Sequence, residues 1–473
     1  MKKYYLCLLT IFYLSCSNKE QKYEFIFKFD DSIVFIEEFI MRSEYTIRPI
    51  FCQGNKESDK NLILKNLILE KLLSKVSKNK NIYLSESQKK YIIGREAQTM
   101  RQLLYKKLVS DSLKLSTDKI NSKINLIGRE YKLSYIQIPK NLNETSLIIN
   151  SWSYDSLLIK KYPRIHIFNK DLKWNEYEQA EILDSLYILD RNIGEIVGPF
   201  SVGNLHMYIK INSWYDNPAI TESEVRLRKN KISNYFYKIT GEKIYLNYIN
   251  KIMEEKNIKY KKEGFTSLIN YFGKRLKMNE NKVIDMKSHY NNIFSYMNES
   301  SEINKSEILF QVSNEFWSIE KLFKNIKIHP LVFRKHIMKR NEFPNQLKIA
   351  IDDLVRDYYF TKKSEEYGFD KDKKVIQQKI MWEDYFLAQN YLKDTFPDAK
   401  TSTEWLEDYQ FQDDLNLLLK DNFKNIEINW DIIHNINLTN IPYHAILEKE
   451  SYPDLAPNLL PISKTSLDSI FIK

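Results

Sequence analysis

The sequence predicts an α+β chain: mostly helical modules, present as two copies, with one small α/β domain inserted. Three observations lead there. Long stretches carry apolar residues at helical spacing, and 43% of the 473 residues are hydrophobic, enough to build cores rather than a disordered chain. Two β-rich runs around a polar turn precede a helix near the start, and the same pattern returns after residue 306. Between them, residues 129 to 214 alternate like strands and hold three of the chain's ten glycines within ten positions. The length allows two to four domains.

Residues 1–15 read as an export signal. Met1-Lys2-Lys3 is basic, and the apolar run from Tyr4 to Leu14 follows. It has 11 residues, too few to span a bilayer core that needs roughly 20. Ser15-Cys16 ends it. The segment resembles a bacterial lipoprotein signal peptide, with Leu14-Ser15-Cys16 in the usual pattern and Tyr13 where leucine is common. That resemblance implies an acylated Cys16 and a membrane partner. The alternative is a plain secretory signal with an incidental cysteine. Each buried CH₂ of an acyl chain contributes about 0.8 kcal/mol, so several chains would hold the protein without a transmembrane helix. No consistent acidic run follows Cys16, and the expected location is the cell envelope, on the outer membrane facing the periplasm. Cys7 leaves with the signal and Cys52 is then the one free thiol, so no internal disulfide is expected.

Composition excludes several classes. There is no CxxC or HExxH, and seven histidines are scattered, so no metal site is expected. No GxGxxG or GxxxxGK[ST] occurs, which disfavours nucleotide folds, and no cofactor is expected. The charge of +10 becomes +8 once Lys2 and Lys3 leave. Basic and acidic residues alternate, as on a solvated surface rather than a nucleic-acid stripe, so nucleic acid is not an expected partner. With 32 Tyr and 25 Phe, the chain suits adaptable contact with extended polypeptide.

The elements follow in order. Residues 16–24 are a polar tether. Residues 25–128 form a first helical module: a hairpin across Phe25 to Phe35, a helix from Ile36, a helix over 61–78, one or two helices over 86–113, and a helix start at Ser116-Thr117-Asp118-Lys119. Residues 129–216 form the small α/β domain, with a strand at 133–138, a helix at 176–191 and a strand at 207–211. Gly194, Gly198 and Gly203 mark turns with positive φ, and Pro199 is expected at the first position of a strand. Residues 217–278 return to helix as part of the first module, with 221–260 continuous. Residues 279–306 are Asn/Ser-rich and read as a linker. A second module spans 307–400. The segment 401–473 is helical and then irregular through Pro442, Pro453, Pro457 and Pro461.

The two modules share spacings. Phe27, Ile36 and Phe39 are separated by nine and three residues, as are Phe310, Ile319 and Leu322. Leu67 and Ile82 are fifteen apart, as are Leu354 and Phe369. The alternative is generic amphipathic helices after unrelated strands.

Two regions together resemble the SurA/PpiD/PrsA group of envelope parvulins. The hairpin, the helix at Ile36 and Leu67-Ile68-Leu69-Glu70-Lys71-Leu72-Leu73 are similar to the chaperone lobe. Residues 133–211 are similar to the peptidyl-prolyl isomerase domain, most closely at Gly194-Glu195-Ile196-Val197-Gly198-Pro199-Phe200. Leu172 and Trp174, after Asp171, stand where the family has Gly-Asp-Leu-Gly-Trp. The resemblance implies a folding factor for unfolded or extended clients such as outer-membrane proteins. It also implies an isomerase site of two facing histidines and an apolar proline slot, acting on an X–Pro bond with a barrier of about 18–20 kcal/mol. Here Tyr135 and Met207 stand where the family has those histidines, and Asn169-Lys170-Asp171-Leu172-Lys173 lacks the family's glycines. His206 is adjacent to Met207, and a one-residue step in a strand turns it to the other face. A loop insertion would restore it, which leaves His206 and Tyr135 as catalytic candidates. The slot falls near Ala180 and Asp184, with Leu183 beside the latter. Tyr135, Leu172, Trp174, Leu183, Phe200 and Met207 are candidates for a peptide groove; the alternative is that they are core.

The remaining motifs read as structural. His166 has no matching role. Glu365-Glu366 and Asp352-Asp353 read as solvated faces, Arg42-Ser43-Glu44 and Arg356-Asp357 as surface ion pairs worth little, and Trp317 and Trp382 as core anchors of the second module. No catalytic triad is visible. Three functions remain open: a membrane-anchored chaperone with weak or no isomerase activity, an active peptidyl-prolyl isomerase, and a structural accessory lipoprotein of an envelope complex.

Overall fold

The structure, a computed structural model of the full chain, describes residues 25–30, 32–46, 57–112, 120–143, 145–152, 154–175, 178–254, 256–276, 283–286, 303–396, 408–438 and 455–461. The segment expected to be an export signal with Cys16, the expected tether, Cys52 and the helix start expected at Ser116 to Lys119 lie outside these residues. Among the described residues, no helix is long and apolar enough to cross a membrane. The fold is α+β, with long helices and small antiparallel sheets. The chain forms two compact units: Met1–Gln102 with Ile258–Lys473, and Leu103–Asn257.

The first unit opens with strands β1 (Phe25–Phe29) and β2 (Ser32–Phe35), paired at Phe27↔Val34 and Lys28↔Ile33. Asp30 takes φ 49° at the turn, a left-handed conformation that Asp tolerates. Helix α1 (Ile36–Glu44) follows at once, with Glu37 and Glu38 in its first turn facing the positive end of the helix dipole. Helix α2 (Glu57–Asn79) is buried nearly all round from Leu62 to Ser74, as a central core helix is. Asn81, at φ 57°, lies in the turn just after α2. Ser85 then caps α3 (Glu86–Ser112): Gln88 N–H donates to Ser85 Oγ at 3.2 Å, and Ser85 N–H donates to Gln88 Oε1 at 2.8 Å. This reciprocal pair is a capping box. The expected one or two helices over 86–113 are one.

The second unit takes in the end of α3 and is wider than the predicted 129–216. Its elements are α4 (Ile124–Ile127), β3 (Arg129–Pro139), α5 (Thr145–Asn150), α6 (Asp155–Lys161), β4 (Phe168–Leu172), α7 (Ala180–Leu183), β5 (Ile196–Val202), β6 (Leu205–Asp216) and α8 (Glu222–Glu254). The four strands form one antiparallel sheet in the order β4-β3-β6-β5. Alternation along β3 splits its side chains between two cores. Tyr131 and Leu133 pack with Leu172, Leu183, Phe200 and Ile209, while Ile136 and Ile138 pack with Ile148, Trp152 and Leu158. Helices therefore cover both faces.

Several boundaries differ from expectation. The helix predicted over 176–191 is confined to α7 and a π-helical turn at Asp184–Ile188. Pro199 does not open its strand. It lies within β5, where the pairing shifts between Val197 and Phe200, a place where a residue without an N–H is tolerated. The Gly198–Pro199 peptide is cis, and Gly194, Gly198 and Gly203 have φ of 87°, 130° and 56°. The helix predicted to reach residue 260 stops at Glu254, because Ile258-Lys259-Tyr260 alternates and pairs as a strand.

That strand, β7 (Ile258–Tyr260), returns the chain to the first unit. There follow α9 (Lys262–Arg275), β8 (Ile284–Asp285), β9 (Ile308–Val312), β10 (Glu315–Ser318), α10 (Ile319–Ile326), β11 (Ile337–Met338), α11 (Phe343–Glu366), α12 (Lys373–Thr395), α13 (Tyr409–Asn422), β12 (Ile426–Ile428) and α14 (Trp430–Asn435). The described part of the predicted linker is structured: β8 pairs with β11, and Ile284 and Met286 are buried. The C-terminal segment is not only helical and irregular, since β12 joins the first hairpin at Phe27↔Ile428 and Phe29↔Ile426. Of the stretch expected to complete the first module, 217–278, helix α8 belongs to the second unit and residues 258–276 serve the second hairpin. There β7 pairs with β9, and α9 lies so close that a Cβ on Gly264 would meet Ile308 O at 2.4 Å.

Two stretches of this unit run through a hairpin, a short helix and two long helices in that order, the second with strand β11 between its short helix and its first long helix. In both, a third strand lies beside the first strand of the hairpin, as β12-β1-β2 and β10-β9-β7. Left-handed turn residues correspond as well: Asp30 with Ser313, and Asn81 with Gly368. Asp372 caps α12 as Ser85 caps α3. The last helix of each stretch packs on the other. Ala388 and Leu392 of α12 enter the core of α2, Phe27 and Phe39. Arg101 of α3 donates to Thr361 Oγ1 of α11 at 2.7 Å.

Candidate functional site

The small sheet gathers part of the predicted groove. Tyr135 on β3 pairs with Phe168 on β4 and Ile209 on β6. The Tyr135 and Phe168 rings stack with centroids 5.1 Å apart. Met207 lies two positions from Ile209, on the same face, opposite Phe200. Tyr135 and Met207 are half-buried and Phe168 is 44% exposed, so the three form a solvent-reaching apolar strip. Leu172, Leu183 and Phe200 are 5%, 1% and 4% exposed and belong to the core beneath. Trp174 is half-buried, edge-on to Tyr187 and Tyr235 at 5.3 Å each.

His206 does not face this strip. It pairs with Ile138 and Ser201, and alternation puts it on the face of Tyr208 and the Ile136 core. Pairing from His206 to Ile209 against β3 is continuous, so no inserted residue turns it round. The structure does not bring His206 and Tyr135 together. His206 Nδ1 finds no hydrogen-bond partner among the described residues. His166 is exposed ahead of β4.

Tyrosines that sequence reasoning missed brace the strip's underside. Tyr235 Oη lies 2.8 Å from Asp184 Oδ1 and 2.9 Å from the Ala180 carbonyl oxygen, sharing its one proton between them, so the Asp184 carboxylate at an expected slot position is already engaged. Burial, and then the Asp184 carboxylate, push the Tyr235 hydroxyl above its ordinary pKa. Tyr187 Oη donates to Leu172 O at 3.1 Å, and Tyr131 Oη donates to Leu186 O. The available signal was period two: Tyr131, Leu133 and Tyr135 alternate onto one face. These hydroxyls are committed to structural acceptors.

The first unit holds buried charge. Arg42, expected at the surface, is fully buried and donates twice to Glu70, at 2.7 and 2.8 Å. Asp357, also expected at the surface, is 5% exposed. It meets His329 Nε2 at 2.8 Å, Arg356 at 2.8 Å and Arg101 at 3.9 Å. Burial alone would raise its pKa; Arg101, His329 and Arg356 outweigh that and hold it below the usual carboxylate range. Asp352 and Asp353 are not simply solvated: Tyr260 Oη donates to Asp352 at 2.8 Å, and Arg334 and Arg356 pair with Asp353. Trp317 is buried and stacks on Phe310 at 5.3 Å, while Trp382 packs with Ile92.

Among the described residues, no group of three or more His, Cys, Asp or Glu could hold a metal ion. What fold and site define together is an α+β chain with an apolar strip on a four-stranded sheet, with His206 on the opposite face. No protein-family model, curated protein or solved structure matches the chain.

Proposed function

We propose that this chain is an envelope folding factor of the SurA/PpiD/PrsA type, with weak or no isomerase activity. It holds unfolded client segments, such as those of outer-membrane proteins, and is anchored through a lipid on Cys16 on the periplasmic side of the outer membrane. The observation that carries the reading is the strip of Phe168, Tyr135 and Met207, apolar and open to solvent, with His206 turned to the opposite face. An extended segment can lie on such a strip through its apolar side chains. A proton-transferring or orienting imidazole pair has no place there.

Two further features support the reading. The sheet order, with the second strand at one edge and the first and fourth strands central, suits a degenerate parvulin domain. The shared element order in the first unit suits two copies of one chaperone module. Several weak sites on one chain would sum to useful affinity.

The test pairs two assays. The full chain should suppress aggregation of several unrelated unfolded clients, and should leave a protease-coupled proline tetrapeptide assay near background. High turnover that His206→Ala abolishes would make the protein an isomerase. Capture of one stoichiometric partner, without such promiscuity, would make it an accessory subunit. Fatty-acid labelling that persists in Cys16→Ala would remove the anchor.

A further inference from the structure

We propose that the first unit contains a second, independent binding site, a cavity of about 310 Å³ that takes one uncharged aromatic ring. It does not rest on the folding-factor reading. Ile93, Ala97 and Met100 of α3 form one wall, and Ile328, Leu354 and Tyr358 form another. Lys362, Glu365 and Asp370 also line it and are exposed, so it opens to solvent. Its size and mixed lining, with apolar walls and polar groups such as Glu96 and Asn325 among them, suit a small ligand.

In the other half of the unit, the positions at a constant sequence interval hold an ion pair. The interval that separates Asn81 from Gly368, 287 positions, also relates Ala97 to Asp384, Tyr358 to Lys71, and Thr361 to Ser74. Asp384 is buried, accepts from Lys71 at 3.0 Å and from Ser74 Oγ at 2.6 Å, and so fills its helix contact with an ion pair. In the cavity, a methyl group replaces the carboxylate and a phenol ring replaces the ammonium.

The polar groups at its back argue against a charged occupant. Arg101 and His329 both face Asp357, and Thr361 receives from Arg101 while donating to the Asp357 carbonyl. Arg101, His329 and Arg356 are all engaged with Asp357, and burying a further unpaired charge beside them would be costly. The Met100 thioether and the Tyr358 ring both favour an aromatic neighbour over an aliphatic one. A free aromatic molecule and an aromatic side chain of a peptide share this chemistry.

Calorimetric titration of the full chain with indole, tryptamine, indole-3-acetate and a tryptophan-containing hexapeptide tests the site. Indole should bind saturably, and the two charged analogues should bind about tenfold more weakly. Ala97→Phe fills the space and should abolish indole binding while leaving the circular dichroism spectrum unchanged. Ala97→Leu, a smaller filler, should weaken binding about tenfold and serves if the larger variant misfolds. Binding of the hexapeptide with the same loss assigns the site to a side chain; binding of indole without the hexapeptide assigns it to a free molecule; both uphold the site. No saturable binding, or binding unaltered in the filled variants, overturns it. Client capture that survives Ala97→Phe leaves the folding-factor reading untouched.

Discussion

His329 Nε2 lies 2.8 Å from the carboxylate of Asp357, 28 residues further along the chain, and Arg42 reaches Glu70 across the same interval of 28. Each pair ties the end of a short helix, or the loop after it, to the middle of the following long helix. One clamp is a guanidinium that stays charged at any ordinary pH. The other is an imidazole whose two nitrogens face acceptors, Asp357 and the Pro330 carbonyl at 3.0 Å.

Breaking the Arg42–Glu70 clamp from one side strands a buried charge. Arg42→Met or Glu70→Gln should each lower unfolding free energy by about 3–5 kcal/mol, whereas replacing both with methionine should recover most of the loss. Urea unfolding of the three variants checks this. A double variant as weak as the singles would show that the pair is needed for more than mutual neutralisation.

Acid should loosen the first unit through Asp357 and Asp384. Both carboxyls are held below their ordinary range against burial, Asp357 by Arg101, His329 and Arg356, and Asp384 by Lys71, Ser74 and Lys78. The folded state therefore binds their protons less readily than the unfolded chain. Their contribution is complete above about pH 4–5, the ordinary carboxylate range, and declines as pH falls through it. Unfolding free energy measured between pH 6 and 3 should drop more steeply in the parent than in Asp357→Asn.

Two glycines of α9 should respond with opposite signs. A Cβ at Gly264 meets the Ile308 carbonyl oxygen at 2.4 Å, and backbone cannot swing aside. Gly264→Ala should cost about 1–3 kcal/mol. At Gly273 nothing lies within 4 Å, and Gly273→Ala should stabilise by up to about 1 kcal/mol through helix propensity alone. Thermal unfolding of both variants checks the pair.

The apolar strip should separate binding from stability. Phe168→Ser removes a ring that is 44% exposed and should reduce client capture with little change in melting temperature. Leu183→Ala removes a core side chain that is 1% exposed and should cost about 2–5 kcal/mol. Equal client capture by parent and Phe168→Ser would move the client surface elsewhere.

Local pattern made much of this fold legible. The hairpin at Phe25 to Phe35, the helix from Ile36 and the alternation along β3 are all set by neighbours in sequence. The side on which His206 falls followed from period two alone. Other features were hidden because their causes are remote. Arg42 and Asp357 sit in stretches that read as polar helix faces, and burial arises only when helices from elsewhere close over them. Ile426-Glu427-Ile428 is too short to announce a strand until β1 supplies its partner. Pro199 and the tyrosine braces depend on pairing and acceptors that no local spacing encodes.

The pairing of Phe27 with Ile428 carries a consequence for biogenesis. A ribosome delivers these residues far apart in time, with 400 positions between them. The leading hairpin keeps a bare edge throughout that delay, and helix α2 waits for Ala388 and Leu392 to shield it. Contacts this distant along a polymer form slowly, so the nascent chain is itself an aggregation hazard until its last quarter arrives.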